Sequence, residues 1–185
     1  MSLLRFTEWL QNTALSTAFR ESILVYPFVE TTHVLTLTLF LGLVAMMDLR
    51  LLGLTMRQVP LTDFVKRLLP WAAIGFVLSV ITGVLLFSSS PVRNAHNIFF
   101  RYKLIALALA GVNAWLFHTG IYRKVADWDR ELVVPRRAKI AGALSLALWA
   151  SIVVSGRMIA YNWFDCDKPQ PAIVNLLAGC SEDFR

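Results

Sequence analysis

Charge is what this chain has least of. Only 16% of its 185 residues are Asp, Glu, Lys or Arg, where a soluble domain carries about a quarter. A polar, water-facing surface of ordinary size is therefore excluded. Glycine is also sparse, at nine residues, and no glycine-rich phosphate loop is visible. There is no Ser/His/Asp ordering and no zinc-ligand spacing either. Independent catalytic activity is not expected on these grounds. Near the start, Arg5 is followed by Glu8, Gln11 and Asn12. No apolar core of a cleavable signal peptide forms there.

What is present is apolar. Hydrophobic residues make up 57% of the chain, and the mean hydropathy is +0.59. The composition is that of an integral membrane protein, with room for one domain of four spans and no sizeable soluble domain. The net charge of +6 does not indicate nucleic acid. Its basic residues fall in short runs between apolar segments, where membrane topology places them.

A helix needs roughly 20 apolar residues to cross the hydrocarbon. Four segments qualify, at about 29–51, 68–88, 98–120 and 138–162. They form a four-span domain over residues 1–163, followed by a tail over 164–185. The expected fold is all-α: an integral membrane four-helix antiparallel bundle. Leu3, Leu4, Phe6, Trp9, Leu10, Ala14 and Phe19 recur among polar residues at roughly helical spacing, which predicts one interfacial helix before the first span. Pro70 is expected in the first turn of the second span, where its missing N–H does little harm. Ser88, Ser89, Ser90 and Pro91 end that span. Small residues repeat every four positions, as Gly75, Ser79 and Gly83 and as Ala143, Ala147, Ser151 and Ser155. Such stripes predict close helix packing.

Lys and Arg counts set the orientation. The connection after the first span holds Arg57, Lys66 and Arg67, with Arg50 at its edge. The connection after the third holds Arg123, Lys124, Arg130, Arg136 and Arg137. The other segments are poorer: Arg5 and Arg20 at the start, Arg93 after the second span, Lys168 and Arg185 in the tail. The positive-inside rule puts the two rich loops in the cytoplasm and both termini outside it. Cys166 and Cys180 then lie on the oxidising side, where they either form a disulfide or remain two thiols.

This orientation gathers the ionisable residues of the spans. Glu30 and His33 lie three apart, on one helix face near the outer end of the first span. Lys103 lies near the outer end of the third. Arg157 and Tyr161 reach the same level on the fourth, with Arg101 at the rim. Asn113, deeper in the third span, is placed to extend the group by a hydrogen bond. Ionisable groups in hydrocarbon are costly and mark either a ligand site or an internal ion-pair network. At the inner end, Asp48 and Arg50 are expected to cap and anchor the first span.

Three histidines raise the question of haem b. His33 and His118 are separated by about sixteen residues of depth, or roughly 24 Å, too far to share one iron. His33 and His96 lie on one side, but His96 sits in a polar loop, Arg93 to Asn97, that would have to fold inward. Either His33 and His96 hold one haem, with Arg101, Lys103 and Arg157 meeting its propionates, or His33 does so alone with Met or water, so His33 is the metal-ligating candidate common to both readings. Met46 and Met47 near His118 read as packing, not as copper ligands.

The segments also resemble a known family. Tyr26-Pro27-Phe28-Val29-Glu30-Thr31-Thr32-His33 is similar to the opening of a family of small bacterial four-helix membrane proteins catalogued as a domain of unknown function. The likeness continues through Met47-Asp48-Leu49-Arg50-Leu51-Leu52-Gly53, Leu69-Pro70-Trp71, Asn97 to Lys103, Asn113-Ala114 and Phe117-His118. It closes at Ser155-Gly156-Arg157-Met158-Ile159-Ala160-Tyr161, covering about residues 1–163. The resemblance implies a four-span inner-membrane protein and singles out Glu30, His33, Lys103, Asn113, His118 and Arg157. Where the family pattern commonly has proline after Asn97, this chain has Ile98. His96 and the cysteine-bearing tail lie outside the pattern.

The functional expectation is a redox-linked binding module holding haem, quinone or another anionic ligand near the outer membrane face. Its cofactor-binding residues would be Glu30, His33, Lys103, Asn113, Arg157 and Tyr161. Its partners would be the bilayer and a membrane or periplasmic redox protein, with homo-oligomerisation open. The alternative is a cofactor-free structural or assembly subunit. A small transporter is the third reading, though four spans without an internal repeat fit alternating access poorly.

Overall fold

The computed structural model describes residues 3–129, 134–161, 166, 169 and 171–180. Arg130, Lys168 and Arg185, counted above in the charge balance, lie outside the described residues, as do residues 162–163 and the side chains of residues 3 and 4. Among the described residues every regular element is helical. Two short helices, α1 (Leu3–Gln11) and α2 (Ala14–Glu21), precede the long helices α3 (Val25–Leu52) and α4 (Leu61–Ser89). A short α5 (Pro91–His96) leads into α6 (Ile98–Leu116), then α7 (Arg136–Tyr161) and the tail helix α8 (Ala172–Ala178). Four helices are long and apolar enough to cross a membrane, counting α6 with its continuation to Asp127. The protein is a multi-pass, all-α membrane protein. Val34, Leu35, Val77, Ile81, Ile105, Val112 and Val154 are exposed on these helices, as side chains solvated by lipid are.

Several boundaries differ from expectation. The interfacial segment is two helices, broken at Asn12-Thr13, because the Thr13 side chain accepts from the Ser16 N–H and restarts the chain as an N-cap. Helix α4 begins at Leu61, so Pro70 lies in its interior. The added turns are held from outside: Asp129 accepts from the Thr62 backbone N–H at 3.0 Å and from its hydroxyl. Beyond Leu116, α6 widens into a π turn over Phe117–Ile121 and tightens to 3-10 over Tyr122–Asp127.

The chain divides into two compact units, each taking a stretch of all four long helices. The first comprises residues 1–33, 80–105 and 152–185. In it α1 packs on α5, Phe87 of α4 stacks on Phe100 of α6 at 5.2 Å, and the Ser16 hydroxyl donates to the Ser88 carbonyl at 2.7 Å.

The second comprises residues 34–79 and 106–151. Its apolar centre is Leu51, Leu61, Val65, Val125, Trp128, Val134 and Ala138. Phe40 of α3 meets Trp149 of α7 edge-on at 4.8 Å. A Cβ on Gly75 of α4 would stand 3.2 Å from both the Cβ and the backbone nitrogen of Phe40, so the glycine permits this backbone approach. One turn on, Ser79 donates to the Thr36 hydroxyl at 3.2 Å. On α7 the expected stripe is only partly the packed face. Ser155 is buried, but Ala143 and Ala147 are exposed, and Ala138, Ala141 and Gly142 are buried instead.

Candidate functional site

Glu30, His33, Lys103, Arg157 and Tyr161 all belong to the first unit. His33 is half-buried on α3. Its Nδ1 is 2.9 Å from the Thr82 hydroxyl of α4. Its Cε1 lies 3.3 Å from where a Cβ on Gly83 would stand. The ring thus occupies a notch that glycine leaves open, and Thr82 fixes its orientation, as an outer-shell group fixes a ligating or hydrogen-bonding imidazole.

Glu30 shares the α3 face but is exposed. Among the described residues its carboxylate makes no hydrogen bond or ion pair, and Tyr26 lies one turn earlier on the same helix. The expectation that Glu30 orients His33 therefore has a competitor, since Thr82 holds that ring from across the helix pair.

Lys103 of α6 is half-buried. Its Nζ lies 3.5 Å from the position of a Cβ on Gly156 of α7, so the ammonium rests against the α7 backbone one residue before Arg157. No carboxylate pairs with it among the described residues. Arg157 is exposed; its Nη2 is 3.5 Å from the Tyr161 hydroxyl and its Cζ 5.3 Å from that ring's centroid, a cation–π arrangement. The first unit thus holds two cations and a phenol near the end of α7 and an oriented imidazole between α3 and α4.

Arg101, expected at the rim of this group, is engaged elsewhere. It donates to the carbonyls of Ala95 at 2.8 Å and Leu177 at 2.7 Å. His96 is buried, not in a polar loop, and its Nδ1 donates to the Ala178 carbonyl at 3.1 Å. The tail is closed by a disulfide between Cys166 and Cys180. Arg101, His96 and the disulfide thus form a lock that holds α8.

Asn113 belongs to the second unit, where it donates to the Ala141 carbonyl at 3.0 Å. It ties α6 to α7 there. His118 is exposed in the π turn, edge-on to Phe117 and Tyr122 at 5.5 Å each. Among the described residues no group of three or more His, Cys, Asp or Glu is suited to hold a metal ion. Arg50 anchors the end of α3 as expected, donating to the carbonyls of Val59 and Arg57. Asp48 is buried against α7.

Thr82, Gly83 and Gly156 are the residues that sequence reasoning left out of the site. Gly83 was visible as part of a small-residue stripe and Gly156 as the neighbour of a charged residue in a span. Thr82 carried no signal of its own.

A family model described as a family of unknown function (DUF6644) matches residues 6–162. The chain belongs to this family. No curated protein and no solved structure matches it.

Proposed function

We propose that the protein is a membrane-embedded binding module for a redox-linked ligand rich in negative or hydrogen-bond-accepting groups, with haem b and quinone as the two candidate classes. Lys103 is the observation that carries this reading. It is an ammonium half-buried in an apolar helix, resting on a glycine, with no carboxylate beside it among the described residues. A cation in that setting calls for an anionic or strongly accepting partner. Arg157 adds a second charge and Tyr161 a phenolic donor. His33, oriented by Thr82, supplies an imidazole to ligate iron or to hydrogen-bond a quinone carbonyl. Exposed Glu30, on the same face of α3, orients His33 or accepts a proton from it. The distribution of Lys and Arg puts this unit on the outer side of a bacterial inner membrane, with both termini outward and within reach of a periplasmic redox partner.

A second reading is an assembly subunit without cofactor. It is favoured by the tail lock, which spends Arg101 and His96 on structure.

Absorption spectra of detergent-purified protein, oxidised and dithionite-reduced, with analysis of its organic extract, separate the two. The expected result is a Soret band lost in His33→Ala, or a co-purified quinone lost in Lys103→Met. A colourless protein with no extractable quinone overturns the redox reading and leaves the assembly subunit.

A further inference from the structure

The second unit contains an ionisable group that the proposed ligand site does not use. Asp48 lies inside the span α3 and is only 5% exposed. Its Oδ2 is buried with no hydrogen-bond partner. Helix α7 covers it closely: a Cβ on Gly142 would stand 3.2 Å from the Asp48 carbonyl oxygen and 3.1 Å from the Leu51 Cβ. Ser145, three residues along the same helix, is half-buried on the side chain's side of α7.

Among the described residues, the charges on the elements around Asp48 are either bonded elsewhere or exposed. Arg50, two residues on and turned to another face of α3, donates to the carbonyls of Val59 and Arg57. On α7, Arg136, Arg137 and Lys139 are exposed. On α6, the amide of Asn113 donates to the Ala141 carbonyl, one turn before Ser145, and His118 is exposed between two aromatic rings. On α4, the neighbours packed with Leu51 are Leu61 and Val65. Asp63, Lys66 and Arg67 of that helix are exposed. Asp129 is occupied with Thr62.

An isolated carboxylate in such a place costs far more than a neutral acid, and a group so placed sheds its charge. A metal cation is the poorer way to do so. Hard cations take about six or more oxygen ligands, and no suitable ligand group surrounds Asp48 among the described residues. A proton needs only one oxygen.

We propose that Asp48 is a proton-binding site: an intramembrane carboxylic acid, buried under α7, that holds a proton on its unpartnered Oδ2 at neutral pH. Intramembrane acids of this kind are the elements from which proton relays are built. The site lies in the second unit and does not depend on any ligand in the first.

Infrared spectra of the full-length protein in detergent test this directly. At neutral pH the wild type is expected to show the C=O stretch of a protonated carboxyl group. The band should shift in deuterated water and vanish in Asp48→Asn, whose amide reproduces the shape of the neutral acid. Absence of the band in the wild type, or its persistence in Asp48→Asn, overturns the proposal. If the variant fails to fold, carbodiimide labelling of the wild type decides, because the reagent attacks protonated carboxyl groups in apolar surroundings. An adduct mapped to Asp48 by mass spectrometry supports the site. Labelling confined to other carboxylates, such as Glu30, overturns it.

Discussion

The two units meet the cost of charge in a membrane in different ways. In the second unit Arg50 is matched with loop carbonyls, Asn113 with the Ala141 carbonyl and Ser79 with Thr36, and Asp48 is the exception, a buried acid with an unpartnered oxygen. In the first unit Glu30 and Arg157 are exposed and Lys103 is half-buried without an acidic partner among the described residues. A matched interior serves packing. An incompletely matched one is where a ligand gains most by binding, because it supplies the missing charge.

The glycines differ in the same sense. Gly75 and Gly142 of the second unit face the backbone and Cβ atoms of α3. Gly83 and Gly156 of the first unit face the tips of His33 and Lys103. One pair lets helices touch; the other makes room for functional side chains.

Substitutions at seven positions probe this contrast. The largest effect is expected for Arg50→Ala. Removing a buried donor set that satisfies two carbonyls costs about 3 kcal/mol, read as lower thermal stability in detergent and as faster hydrogen exchange around Met56–Val59. Replacing Cys166 and Cys180 by serine opens a short loop and costs about 3 kcal/mol. The loss should appear as exchange in α8 and around Arg101, with the second unit unchanged. Destabilisation of both units would break the contrast.

Gly75→Ala and Gly142→Ala should each cost about 1–3 kcal/mol, because backbone atoms cannot yield to the added methyl. Gly83→Ala should cost less and instead displace the His33 ring, visible as a change in its imidazole NMR signals. Equal losses at Gly75 and Gly83 would contradict the assignment of roles. The smallest effect is expected for Glu30→Gln, within about 0.5 kcal/mol, since Glu30 is exposed and unbonded among the described residues. A larger loss in a melting experiment would show that Glu30 locks the bundle.

Much of this was legible in the residues. Four apolar runs gave the number and order of the spans, and the ionisable residues Glu30, His33, Lys103 and Arg157 within them all fall in one compact unit. Boundaries failed where an element is amphipathic. The start of α4 carries Asp63, Lys66 and Arg67, which hydropathy alone reads as a loop, and its real support is Asp129, 67 residues away. Long-range bonds defeated the local reading of α5 as well. Arg93, Asn94, His96 and Asn97 look like a wet connection, but His96 and Asn97 are buried, and His96 and Arg101 bond the carbonyls of α8. Helical spacing placed Glu30 and His33 on one face correctly. It could not reveal that Thr82, on another helix, takes Nδ1. Residue size said that α7 packs closely, but not that Gly142 faces inward while Ala143 and Ala147 face out.

Native mass spectrometry of the wild type and Lys103→Met, released from the same detergent, tests the central claim most directly. A small molecule retained by the wild type and missing from the variant is the predicted result, and its mass identifies haem, quinone or another acceptor-rich ligand. Identical spectra of the bare chain for both proteins would contradict the account.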